Sequence, residues 1–434
     1  MIRFQLSKLT QWKNSTNRKP LIIRGARQVG KTWLMKEFGK TAYKQVAYIN
    51  FESAKSLKNL FVSDFDIKRI ITAIQIETEL QILATDTLII FDEIQECEGA
   101  ITSLKYFQEN APEYHIVAAG SLLGVALHKN TSFPVGKVDF LDLFAMSFGE
   151  FLLALNKKSL SDLLLSNDWI TIAGFKTKYI DLLRQYYFIG GMPEAVYSFA
   201  QEGNFTKVRE IQSRILSAYE QDFSKHAPHE IVPRIRMVWQ SIPSQLAKEN
   251  KKFIYGAIKQ GARAKEFEMA IAWLLDSGLI FKVNRASKPA IPLIAYEDIA
   301  AFKLYLLDVG LLGAMGNIDI KTILEGNKIF QEFKGAIAEQ YVLQQLKCSL
   351  DIPVYYWSTA KSTAEIDFLV QSAQNIVPIE VKAEENLQAK SLKSYQQQYN
   401  PNISIRTSMS DYRVDEWLTN LPLYAVESYW KQTK

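Results

Sequence analysis

Short apolar runs recur through the first third of the chain, at 20–24, 45–50, 87–91 and 115–119, each followed by a stretch of helical spacing. That rhythm predicts a parallel sheet covered by helices. From about 159 to 221 the pattern turns helical, with Leu163, Leu164 and Leu165, and later Leu182, Leu183, Tyr186 and Tyr187. The stretch 231–283 reads as short helices followed at Gly278 by a turn into Leu-Ile-Phe-Lys-Val, the outline of a winged helix. Beyond 327 a helix is expected over 333–346, then strands at 354–357, 366–370 and 376–381, which makes the C-terminus a separate α/β unit. The expected division is 1–158, 159–225, 226–290, a connecting region 291–326, and 327–434. No internal repeat and no linker rich in Gly, Ser or Pro marks these boundaries.

A length of 434 residues suits about three domains at roughly 150 residues each, so any functional assignment must be tied to a region. With 48% hydrophobic and 22% charged residues, the chain has the composition of a packed protein, which excludes disordered and collagenous classes. Two cysteines, Cys97 and Cys348, are too few for a disulfide framework or a cysteine zinc site, and a reducing compartment fits best. Residues 1–19 lack the apolar core of a secretion signal and no apolar run approaches bilayer length, so the expected location is cytoplasmic, with no membrane partner. The net charge of +5 is too small to indicate nucleic acid by itself. Its distribution is more telling, because 226–290 carries 11 Lys or Arg against 5 acids while the rest is near neutral. This excess reads either as a phosphate-facing surface or as a solvated helical face.

The first apolar strand runs directly into Gly25-Ala26-Arg27-Gln28-Val29-Gly30-Lys31-Thr32, and a helical run begins at Trp33. This is a phosphate-binding loop in its required strand and helix context. Glycines let the chain wrap around phosphate oxygens with successive N–H groups turned inward, and the helix N-terminus adds positive potential. Lys31 is expected to reach the β- and γ-phosphates of ATP, and Thr32 to complete the shell of its Mg ion. The run Thr87-Leu88-Ile89-Ile90-Phe91 ends in Asp92-Glu93, a buried strand presenting carboxylates at its C-terminal edge, where ligands bind in such sheets. Asp92 can hold magnesium through water, and Glu93 can polarise the water that attacks the γ-phosphate. The pair favours hydrolysis over transfer to a metabolite, which disfavours a small-molecule kinase. After the strand 115–119, Ser121 stands where it could sense the γ-phosphate or the attacking water, or merely close an ordinary turn.

Together the segments 24–32, Asn50-Phe51-Glu52, 91–95, 132–137, Ser147-Phe148 and Gly190-Gly191-Met192-Pro193-Glu194 resemble the bacterial and archaeal AAA-type ATPases that carry an uncharacterised C-terminal domain. The resemblance covers essentially the whole chain. It implies an α/β fold with a P-loop AAA-type parallel sheet core, a helical lid, a winged-helix segment and a C-terminal restriction-endonuclease-like α/β domain. It also implies that Pro193 packs on the adenine, as in related signalling ATPases, although Gly-Gly-Met-Pro by itself is only a tight turn. Ala118-Ala119 stands where the family often has threonine, a departure that weakens the sensor role of Ser121. Arg27, Arg184 and Arg214 are the candidates for an arginine finger, and a finger supplied in trans would require a homo-oligomer.

In the run Ile376-Val377-Pro378-Ile379-Glu380-Val381-Lys382, alternation puts Glu380 and Lys382 on one face. Asp367 lies on the preceding strand, and a hairpin through 371–375 would bring the three side chains together. This spacing resembles the acid, then acid-x-lysine, core of the restriction-endonuclease superfamily, with Glu339 as a further acid on the preceding helix. The resemblance would have Asp367 and Glu380 bind magnesium while Lys382 orients a water toward a phosphodiester of DNA or RNA. Glu380-Val381-Lys382 on an amphipathic strand also reads as an ordinary solvated charge pair. Two functions remain: an ATP-driven switch acting on nucleic acid, and a nucleotide-dependent signalling or scaffold protein whose C-terminal domains hold protein partners.

Overall fold

The structure, a computed structural model, describes residues 2–432 apart from 59, 64, 122–123, 125–132, 249–250, 326–330, 360–363 and 386–387. Ser132 and the expected boundary at 327 lie outside the described residues. The chain divides into two compact units. One comprises Arg3–Phe144 with the turn Asp276–Leu279, and the other Ala145–Leu275 with Ile280–Lys434.

The first unit is built on strands β1 (Leu21–Arg24), β2 (Gln45–Asn50), β3 (Thr87–Asp92), β4 (His115–Ala119) and β5 (Asp139–Asp142). They form a five-stranded sheet in the order β2-β3-β4-β1-β5, with every pair parallel. All six residues of β3 are buried, as an inner strand with both faces covered requires. One face of the sheet packs Ile22, Ile49, Ile89, Phe91 and Ala118 against Ile70, Ile74, Ile101, Leu104 and Phe107 of the covering helices. Strand β4 lies between β1 and β3, so the turn after β4 falls between the loop that ends β1 and the acids that end β3. Four of these strands stood at the positions expected; β5, a charged DFLD, carries no apolar run to announce it.

The second unit opens with helices, Phe148–Ala154, Lys158–Ser166, Lys176–Ile189, Pro193–Glu202 and Phe205–His226 among them. Helices Val232–Leu246 and Ala264–Asp276 precede strands β6 (Ile280–Ala286) and β7 (Glu297–Leu306), which pair antiparallel. The strand expected after Gly278 is present as β6. Its hairpin partner β7 occupies what was expected to be a connecting region, and the expected boundary at 290 falls in the hairpin loop. Strands β8 (Val354–Ser358), β9 (Glu365–Ser372), β10 (Asn375–Val381), β11 (Ile405–Ser408), β12 (Arg413–Val414) and β13 (Thr419–Pro422) complete the unit. The whole forms an eight-stranded sheet, β12-β13-β11-β10-β9-β8-β6-β7, in which β6 pairs parallel with β8 at Arg285 and Tyr356.

Helix Gln331–Ser349 knits this unit together through amide side chains that satisfy buried backbone groups. Gln340 takes the Leu306 N–H at 2.9 Å and returns a bond to its carbonyl at 2.6 Å. Gln344 accepts from Val309 N at 3.0 Å, and Gln345 from Phe148 N at 2.9 Å. Buried backbone groups left unpaired would each cost about 1–3 kcal/mol, so these glutamines specify the packing register rather than decorate it.

Candidate nucleotide site and the C-terminal acidic cluster

The loop Gly25–Gly30 leaves β1 at Arg24 and enters helix Lys31–Ala42. Gly25 has φ of +151°, and a Cβ there would sit 2.2 Å from the Leu143 carbonyl oxygen, so only glycine fits. Gln28 and Gly30 also have positive φ, at 67° and 93°, and together these residues curl the chain back on itself. Gln28 does so without glycine's freedom, a local strain of the kind that concentrates at functional loops. Lys31 is 7% exposed, and its ammonium donates to the carbonyls of Gly25 and Ala26 at 2.9 and 2.8 Å. Burial pulls its pKa down to about 8, against the opposing pull of Glu93 and Asp92.

The β3 acids face this loop. Thr32 Oγ1 donates to Asp92 Oδ2 at 2.8 Å, which sets the hydroxyl and carboxylate expected around magnesium side by side. These are hard oxygen donors, and they fit that ion. Tyr48 on β2 donates its hydroxyl to the same Oδ2 at 2.8 Å. Glu93 sits in left-handed backbone conformation, φ 49° and ψ 45°, with its N–H on Asp92 Oδ1 at 3.1 Å. Its Oε2 accepts from Gln95 Nε2 at 2.7 Å, from Ser121 Oγ at 3.0 Å and from Ser121 N at 3.4 Å. The strand order thus brings Ser121 onto Glu93. Ala26, Val29 and Trp33 lie in the same loop and first helical turn, with Ala26 and Val29 buried.

Two participants were not foreseen. Tyr48 lies in register with Ile90 and two residues before Asn50, which is in register with Asp92. Alternation along β2, with Ala47 and Ile49 buried, would have put Tyr48 and Asn50 on the opposite face, a legible signal. Gln95 lies beyond the strand, and no sequence period reports its contact with Glu93.

In the second unit, Gly190-Gly191-Met192-Pro193 is a turn held by packing. Gly190 has φ of +73°, Gly191 N donates to Asp308 Oδ2 at 2.5 Å, and Pro193 opens helix Pro193–Glu202. A Cβ on Gly191 would lie 2.0 Å from the Met146 carbonyl oxygen, so close approach requires a glycine there. Asp308, fully buried, also accepts from Leu311 N and Gln344 Nε2, and burial raises its pKa despite those bonds. Arg214 pairs with Glu194 at 3.1 Å on the surface.

The predicted hairpin of the C-terminal carboxylates forms. β9 and β10 pair antiparallel with Phe368 opposite Ile379, and Asp367 Oδ2 accepts the Val381 N–H at 2.8 Å. Glu380 and Lys382 are ion-paired at 2.7 Å, and Glu380 also takes the Leu392 N–H at 3.2 Å. Glu339 stands close enough to Asp367 for their charges to interact, but its own oxygens are engaged by other groups. It bonds the ammonium of Lys251, accepts the Tyr305 hydroxyl at 3.1 Å and lies 3.9 Å from Lys303, which is itself wholly buried and bonded to Glu365. Burial would raise Glu339, but Lys251 and Lys303 hold it below the ordinary range. Burial would likewise lower Lys303, but Glu365, Glu339 and Asp367 outweigh it and keep it charged. Asp367 is raised well above the usual carboxylate range, by burial first and then by Glu339. Among the described residues no three His, Cys, Asp or Glu side chains converge as a metal group. Lys251 belongs to the basic stretch but is spent on Glu339, whereas Lys248, Lys259, Arg263 and Lys265 are exposed.

Among the described residues no helix is long and apolar enough to cross a membrane. None of the curated proteins matches the sequence. Solved structures with a likeness include a Walker-type ATPase of Pyrococcus abyssi, 13% identical over 72% of this chain and 94% of that one, TM-score 0.45. The ORC1 protein of Aeropyrum pernix in complex with DNA is 12% identical over 73% and 93%, TM-score 0.27. Cdc6p of Pyrobaculum aerophilum is 12% identical over 74% and 93%, TM-score 0.26. Residues 180–322 match a domain of unknown function, DUF8612, and residues 334–426 another, DUF4143. Residues 17–152, which hold the phosphate loop, Asp92 and Glu93, match the AAA domain family, so the parallel sheet of the first unit lies in an AAA domain.

Proposed function

We propose that the chain binds and hydrolyses Mg-ATP and uses the cycle as a conformational switch. The observation that carries this reading is the bond of Thr32, at the end of the phosphate loop, to Asp92, with the adjoining Glu93 held by Ser121 and Gln95. Lys31 would leave the Gly25 and Ala26 carbonyls for the β- and γ-phosphates, and Thr32 and Asp92 would hold magnesium, which neutralises charge on the phosphate oxygens. Glu93 would orient a water for in-line attack, with Ser121 fixing the carboxylate. The contact of Pro193 with adenine rests on the family resemblance alone. Lys31→Ala is expected to abolish nucleotide binding. Glu93→Gln should bind ATP but hydrolyse it at least about tenfold more slowly, or about 1.4 kcal/mol; unchanged turnover would remove Glu93 from its role.

The downstream partner we propose is nucleic acid, bound through the exposed Lys248, Lys259, Arg263 and Lys265. Such binding should weaken steeply with salt, and Lys259→Glu with Arg263→Glu should flatten that dependence. A second reading, a protein-binding scaffold without nuclease activity, is favoured by the pairing of Glu339 with Lys251 and of Glu380 with Lys382, which leaves those carboxylates internally neutralised. Plasmid cleavage with magnesium or manganese, lost in both Asp367→Ala and Lys382→Ala, would decide for the nuclease. Cleavage that survives both substitutions would belong to a contaminant.

A further inference from the structure

The turn Asp276–Leu279 belongs to the same compact unit as the phosphate loop, although the helix before it and strand β6 after it belong to the other unit. Two glycine approaches show how closely it is seated. A Cβ on Gly278 would lie 3.1 Å from the Ala26 amide nitrogen and 3.6 Å from the Gly25 carbonyl carbon. A Cβ on Gly124, in the segment after β4, would lie 2.3 Å from the Asp276 carbonyl oxygen. Gly278 has φ of +73°, and Ser277 and Leu279 are buried. The turn is thus closely approached both by the start of the phosphate loop, whose Gly25 and Ala26 carbonyls hold Lys31, and by Gly124.

Gly25 and Ala26 are also the residues whose carbonyls hold the Lys31 ammonium. When Lys31 turns to a phosphate those two carbonyls lose their donor, so the hydrogen bonding of the loop changes directly beneath Gly278. Only residues 277–279 separate the end of helix Ala264–Asp276 from the start of β6. A tether that short has no slack, so a shift of the turn is passed to both elements.

We propose that the turn Asp276–Leu279 positions the phosphate loop and reads its nucleotide state, with Gly278 as the positioning residue. This rests on the nucleotide-binding reading above. The test is hydrogen exchange on the full chain with and without Mg-ATPγS, beside calorimetry of the same samples. Amides of 277–280 are expected to change exchange when nucleotide binds, and Lys31→Ala should abolish that change. Identical exchange in both states, while calorimetry records binding, overturns the proposal; absence of binding heat instead refutes the nucleotide reading itself. A second arm compares Gly278→Ala with Gly261→Ala, since Gly261 has nearly the same φ, +79°, but nothing within 4 Å of its Cβ position. Both positions have a left-handed φ, so a loss of about fivefold or more in ATP affinity confined to Gly278→Ala supports the contact. Equal affinities in the two variants count against it.

Discussion

If Lys31 binds the phosphates as proposed, nucleotide affinity is expected to depend on pH. With its pKa pulled down to about 8 by burial, the ammonium is about nine-tenths charged at pH 7 and about one-tenth charged at pH 9. Phosphate oxygens around it in the complex would favour the charged form, so binding at pH 9 must take up close to one proton. If the bound lysine stays charged throughout, ATP affinity falls by about tenfold between pH 7 and 9, or about 1.4 kcal/mol. The triphosphate contributes little to this, since its last proton leaves at about pH 6. Stability of the nucleotide-free protein moves the other way. Between about 8 and the ordinary 10.5 the unfolded chain binds more protons than the folded one, so the fold gains stability as pH rises through that window. Titration calorimetry with Mg-ATPγS at pH 7, 8 and 9, in buffers of different ionisation enthalpy, reads affinity and proton uptake together. Flat affinity with no proton uptake would show that Lys31 does not exchange its carbonyl partners for phosphate.

Removing the Tyr48 hydroxyl with Tyr48→Phe leaves Asp92 Oδ2 with one donor instead of two. The magnesium-dependent part of ATP affinity should then shift by about 0.5–1.5 kcal/mol, read by calorimetry with and without magnesium, while a shift independent of magnesium would place Tyr48 outside the metal's surroundings. Lys303→Met strips the partly exposed Glu365 and the buried Glu339 of a shared cation and should destabilise the second unit by about 3–5 kcal/mol in urea at pH 7. The deficit should shrink as pH falls, because carboxylates that have lost their cation take up protons in place; a deficit that grows toward low pH would contradict the pairing.

The parts of the fold that were legible in sequence are those in which one residue pattern does one job. β1, β3 and β4 are inner strands whose near-continuous apolar runs announce them, and the phosphate loop is readable because its glycines are dictated by local backbone geometry. The β9–β10 hairpin was legible for the same reason, since Ile379 and Val381 alternate with Glu380 and Lys382. What escaped depends on pairing between distant segments. β5 owes its place to pairing with β1, and β7 becomes a strand by joining β6, although its Ala-Phe-Lys-Leu-Tyr-Leu run was open to reading. The C-terminal acids show the other limit. Their arrangement on the hairpin could be read from spacing, but the capture of Glu339 by Lys251, 88 residues away, could not.

The pairing of β6 with β8 has a consequence for how this chain could have been assembled. Its sheet crosses the boundary between the regions matched at 180–322 and 334–426, so separating the two regions would bare a strand edge on each. Gene fragments cut at that seam should therefore give insoluble products.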